Sequence, residues 1–176
     1  MKYFTKELWA GFNSGDDAVF RRTDKRWNRN REAYSHQLER VKTRLSKNAA
    51  RFFGGVSLHD ARLLAFVVGD HINYGRSELS ALSGSKCRPE VRMDVLDYEQ
   101  RWLYSLSYSK VRRVLFDFPS GEPLFHEEGG RIDDWGYDEL TAAGKLYLRH
   151  EVLFSSGATA LIEFQKFSYK RVRVGG

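Results

Sequence analysis

One cysteine, Cys87, stands in a chain of 176 residues. No disulfide can close within the chain, so the expectation is a reducing, cytoplasmic setting. The opening Met1-Lys2-Tyr3-Phe4-Thr5-Lys6-Glu7 lacks the continuous apolar stretch of a secretory signal, and none is expected there. The longest apolar run, Leu63 to Val68, is far too short for a bilayer-crossing helix, so no membrane partner is expected. Signatures of catalysis are missing as well. Gly-x-Ser-x-Gly does not occur, and Leu82-Ser83-Gly84-Ser85 has the composition of a loop rather than of a nucleophile elbow. There is no Walker or dinucleotide glycine fingerprint, and Gly129-Gly130 lies among acids, which suits a phosphate badly.

His59-Asp60, His71, His126-Glu127 and His150-Glu151 offer the residue types that zinc uses. None of these histidines has a partner at i+2 on a strand or i+4 on a helix, the spacings that place two ligands on one face. The expectation is therefore no metal and no cofactor. Cys87 sits between Lys86 and Arg88, cations of the kind that activate a thiol, but it reads as an incidental exposed cysteine.

What is present is a globular composition: 41% apolar and 14% aromatic residues, in a length that suits one domain or one domain with a helical arm. The formal net charge is +6, and its distribution is uneven. Arg21 to Arg51 holds eleven Lys or Arg against Asp24, Glu32 and Glu39, whereas residues 1–20 and 52–176 each carry −1. Asp117 to Glu139 is the opposite pole, with eight acids and Arg131 alone against them. The two poles either meet within the fold or between copies, or the basic segment serves an acidic partner.

The pattern along the chain predicts helices first and strands afterwards. Phe4, Leu8 and Phe12 share a helical face behind Thr5, and Asn13-Ser14-Gly15 breaks that helix. Ser14 or Asp16 then caps a long helix that Gly54-Gly55 ends. Phe20, Trp27, Tyr34 and Val41 recur at seven, and Leu38, Leu45 and Phe52 form a second row. Beyond Gly55 the period becomes two. Ala61 to Val68 reads as a buried strand, Val91 to Val95 as a strand buried on one side, and Trp102 to Ser109 as a strand with a serine-lined outer face. Val114 to Phe118 gives a fourth strand, and Tyr137 to Leu140 a short one. Arg76 to Pro89 and Pro119 to Gly136 read as loops. Lys145 to Phe154 and Ala158 to Arg173 are long strands joined at Ser155-Ser156-Gly157. Leu146, Leu148, His150, Val152 and Phe154 share one face of the first. In the second the apolar parity slips between Phe164 and Phe167, which predicts a β-bulge near Gln165-Lys166. The expected fold is α+β: a helical segment over 1–55, and an antiparallel sheet of five to six strands within 56–176.

Three functional surfaces emerge. Arg21, Arg22, Lys25, Arg26, Arg29 and Arg31 surround Trp27, so the helix can offer arginines to phosphates and an indole to a base. Lys166, Lys170, Arg171 and Arg173 add a second basic patch. The seven-residue rows, the strand edges and the acidic loop offer surface to a protein partner or a second copy. For an enzyme, the first positions to test are His59, Asp60 and His150. His150, on an apolar face, reads first as a core histidine satisfied by a hydrogen bond.

The stretch Met1-Lys2-Tyr3-Phe4-Thr5-Lys6-Glu7-Leu8-Trp9 resembles the start of an uncharacterised bacterial family, a domain of unknown function. Leu58-His59-Asp60 before a strand is similar to the opening of β-rich domains in several such families, some associated with polymorphic-toxin immunity. His150 to Gly157 and Ile162-Glu163-Phe164 also look like these sets. The resemblance implies a bacterial cytoplasmic protein with a β-rich C-terminal part. It implies protein binding and carries over no catalytic residue. The reading that results is a non-enzymatic protein that binds another protein, with nucleic acid on the basic helix 21–51 as the alternative and a histidine/carboxylate enzyme as the second alternative.

Overall fold

The helical pattern of the first 55 residues is interrupted by residues that cap. The computed structural model describes residues 1–70, 89–118 and 134–175. Helix α1 spans Lys6–Phe12 behind Thr5, whose side chain makes no capping bond. Asp16, not Ser14, caps α2 (Asp17–Lys42): its carboxylate accepts the N–H groups of Ala18 at 2.7 Å and Val19 at 3.0 Å. The single helix expected to reach Gly54-Gly55 stops at Lys42. Ser46 accepts the Ala49 N–H at 3.2 Å and opens a separate helix, α3, Lys47–Gly55. Leu38, Leu45 and Phe52 still reach the core, but from two helices and the turn between them.

Eight strands complete the described chain: β1 (Arg62–Asp70), β2 (Pro89–Leu96), β3 (Trp102–Ser109), β4 (Arg113–Asp117), β5 (Trp135–Ala142), β6 (Leu148–Phe154), β7 (Thr159–Phe164) and β8 (Lys166–Arg173). The fold is α+β, but the single sheet expected is two antiparallel sheets of four, ordered β1-β2-β3-β8 and β4-β7-β6-β5. The cause lies at Gln165. The parity slip there is real, yet it marks a change of sheet rather than a bulge: β7 pairs with β6, and β8 pairs with β3. Phe164 and Phe167 therefore both reach the core, one from each sheet.

The core lies between the sheets. Val91, Met93, Leu106 and Tyr108 come from the first, and Leu140, Val152, Phe154 and Ile162 from the second. Phe52 and Phe53 of α3 close one side against Phe167, with Tyr169 beside Phe52. Burial alternates along β2 and β3 as expected, leaving Ser105 and Ser107 off the core.

Three strands differ from expectation. β1 is an edge strand, so Leu64 and Val68 are 53% and 52% exposed rather than buried. β6 starts at Leu148, which leaves Leu146 in the preceding turn at 72% exposure. β5 is longer than Tyr137 to Leu140 and takes in Trp135 and Gly136, because the chain pairs with β6 through an irregular step between Trp135 and Tyr137.

Helices satisfy two of the four sheet edges through side chains. The Tyr34 hydroxyl of α2 accepts the Leu140 N–H of β5 at 2.9 Å, and Asn48 Oδ1 of α3 accepts the Tyr169 N–H of β8 at 3.2 Å. Among the described residues no helix is long and apolar enough to cross a membrane.

Candidate functional site

Helix α2 is fixed to the body along one face. Thr23 is buried, where the helix meets α1 at Gly11. Asn30 donates to the Tyr3 carbonyl at 2.7 Å. Tyr34 packs on Tyr3 and Phe4, and burial pushes its phenol well above the usual range. Trp27 belongs to this face too, with ring centroids 4.7 Å from Phe4 and 4.6 Å from Tyr137. Its seven-residue spacing, not its basic neighbours, decides where it goes. The indole expected to be offered to a base is engaged in the aromatic cluster instead.

The opposite face is a different surface. Arg21, Arg22, Lys25, Arg26, Arg29 and Arg31 are all exposed. At 3.6 residues per turn, Arg22, Lys25, Arg26 and Arg29 fall within an arc of about 100° and run about 10 Å along the axis. Arg21 borders that stripe, whereas Arg31 falls on the other side of the helix, about 170° from its centre. Among the described residues none of the four has a salt-bridge partner. Arg22 and Arg26 lie within electrostatic reach of Asp16 and Glu7. The result is a rigidly mounted row of cations, held by the aromatic face behind it.

The acidic pole is not the matching surface that its sequence suggests, as far as it is described. Of Asp117 to Glu139, residues 119–133 lie outside the described residues, as do His71, Cys87 and His126. Trp135 onwards is strand β5, and Glu139 within it is fully buried. Its carboxylate accepts the backbone N–H of Lys2 and, at 2.8 Å, that of Tyr3, rather than meeting an arginine of α2. Burial raises its pKa against the opposing pull of those two N–H groups.

His59 and His150, the histidines to test first if the protein were an enzyme, are kept apart. His59 and Asp60 form an exposed pair after α3, with Nδ1 2.9 Å from Oδ2 and Asp60 at φ 61°. The His59 ring lies 5.4 Å from that of Tyr137. His150 is fully buried: Nδ1 is 2.7 Å from the Tyr108 hydroxyl, and Nε2 is 3.1 Å from Asp138 Oδ2. Tyr137 and Asp138 are consecutive on β5 and point to opposite faces, so the two histidines are divided by the sheet. His150 is the satisfied core residue that its apolar face predicts. Its partners Tyr108 and Asp138 were not foreseen. Nor was Glu163, buried between Arg112 and Arg149, each 2.7 Å away. Burial raises the Glu163 pKa, but the hydrogen bonds and charges of Arg149 and Arg112 outweigh it and hold the carboxyl below its usual range. Among the described residues no group of three His, Cys, Asp or Glu is placed to hold a metal.

The second basic patch lies on the edge strand β8, where the Arg171 guanidinium stacks 4.4 Å over the Trp102 ring. Comparison with protein-family models, with curated proteins and with solved structures gives no match. Function is therefore read from the α2 stripe, the one surface among the described residues where several exposed, like-charged groups converge on a fixed helix.

Proposed function

We propose that this is a non-enzymatic binding protein that meets the phosphate backbone of nucleic acid through Arg22, Lys25, Arg26 and Arg29. The observation that carries the reading is their common stripe, exposed and without salt-bridge partners among the described residues. Contacts of this kind supply affinity by releasing counterions and are indifferent to sequence. Trp27 is engaged on the other face, so it gives the stripe no stacking contact that would favour single strands over duplex. The bacterial cytoplasmic setting belongs to the same proposal. A protein partner is the second reading, supported by the exposed apolar side chains Leu64, Val68, Leu115 and Phe118 on and beside the outer strands.

The test is fluorescence anisotropy with a labelled duplex and a labelled single strand across a salt series. Four phosphate contacts give a slope of log K against log salt of about −3.6, or roughly a 150-fold loss of affinity from 50 to 200 mM salt. Changing Arg22, Arg26 and Arg29 together to Gln leaves one contact and a slope of about −0.9. An absence of binding at the lowest salt sinks the proposal. Binding that the triple variant retains unchanged removes the stripe from it.

A further inference from the structure

Strand β4 is the edge of the second sheet, and among the described residues nothing pairs with its outer side. Unlike the β5 and β8 edges, it receives no helix side chain there among the described residues. Its sequence, Arg113-Val114-Leu115-Phe116-Asp117, carries opposite charges at its two ends and an apolar centre. Arg113, Leu115 and Asp117 alternate onto one face, where Leu115 is 47% exposed, and neither charged end has a salt-bridge partner among the described residues. Val114 and Phe116 turn to the core side.

We infer that a second copy of the chain pairs antiparallel with this edge, about a two-fold axis through Leu115. In that register Arg113 of each copy faces Asp117 of the other, Leu115 faces Leu115, and Val114 faces Phe116. Every residue stays on its own face of the joined sheet, as a two-fold axis normal to the sheet requires. Like-for-like pairing in the parallel sense would set Arg113 against Arg113 and Asp117 against Asp117, which charge repulsion disfavours. The product is one continuous eight-stranded sheet made from two second sheets. Five residues on each side bury less than the roughly 1,200 Å² of a standard stable interface, so the dimer is weak and depends on concentration.

Sedimentation velocity of the full chain, from about 10 μM to about 1 mM, tests this. The wild type is expected to pass from monomer to dimer across the series. Arg113→Asp alone gives two acidic strand ends, Asp117→Arg alone gives two basic ends, and each is expected to stay monomeric. An equimolar mixture of the two is expected to dimerise again, because acidic ends then meet basic ones. A wild type that stays monomeric, a dimer that the single variants retain, or a mixture that fails to associate overturns the inference. Circular dichroism checks the fold of each variant. Should either be unfolded, Leu115→Lys, which sets two cations against each other on the axis, is expected to abolish the wild-type dimer, and a dimer that survives it overturns the inference equally.

Discussion

Replacing His150 separates a hydrogen-bonded core from one that is only packed. The ring sits between Tyr108 and Asp138, with Phe53 edge-on at 5.1 Å and Trp135 at 5.9 Å. The Asp138 carboxylate accepts from Nε2–H, and in the neutral ring Nδ1 is then the acceptor for the Tyr108 hydroxyl. His150→Phe keeps an aromatic ring of similar size but strands that hydroxyl in the core, which costs about 1–3 kcal/mol. The loss at Asp138 is smaller, because its side chain is partly exposed and keeps the Trp135 Nε1–H at 3.1 Å. The expected total is about 2–4 kcal/mol. Tyr108→Phe strands Nδ1 and costs about 1–3 kcal/mol. The double variant leaves neither atom wanting a partner and is expected to cost about 1–2 kcal/mol less than the sum of the singles. Urea unfolding of the four proteins, with unchanged slopes, measures the coupling. Single-variant costs that add to within about 0.3 kcal/mol refute the reasoning, since a hydrogen bond between the two side chains requires them to be non-additive.

Three further predictions concern packing and pH. A Cβ at Gly136 would lie 2.9 Å from the Leu153 carbonyl oxygen and 3.1 Å from the Trp9 ring, so Gly136→Ala is expected to destabilise by about 1–3 kcal/mol, and an unchanged thermal midpoint counts against it. Glu163 has a folded pKa below its ordinary 4.5, so its stabilising contribution is present above that value and is lost as pH falls through the folded pKa. The stability gap between wild type and Glu163→Gln is expected to be widest near neutrality and to close in acid. Glu139, whose pKa is raised, works in the opposite sense: its contribution is full below 4.5 and fades as pH rises through the folded value, so the wild type gains on Glu139→Gln as pH falls. Urea midpoints measured across acid and neutral pH decide both signs.

The elements that depend on their own residues were legible in the sequence. Alternation placed β2 and β3, and Ser155-Ser156-Gly157 marked the turn between β6 and β7. Ser46 was equally readable as a cap, though it sits inside an apolar pattern that continues across the break. What lay out of reach depends on distant pairing. The slip at Gln165 fits a bulge until β8 is seen to align with β3, Trp102 opposite Arg173. Trp27 carries two compatible signals, a core spacing and a basic surround, and only the arrival of Phe4 and Tyr137 decides between them. The same holds for His150, whose face was readable while its partners, 42 and 12 residues away in sequence, were not. The basic stripe itself was legible as composition. Its exposure and rigid mounting were not.

The single-residue passage from β7 to β8 also sets an order of events during synthesis. The first sheet has β1, β2 and β3 by Ser109, yet its fourth member, β8, is made only after every strand of the second sheet. Until then Leu106 and Tyr108 lack the neighbours that Phe167 and Tyr169 bring to their side of the sheet. The second sheet has all its strands by Phe164, but the first cannot be completed while the ribosome still holds β8. The first sheet must therefore remain open, and in need of protection from aggregation, until β8 has emerged.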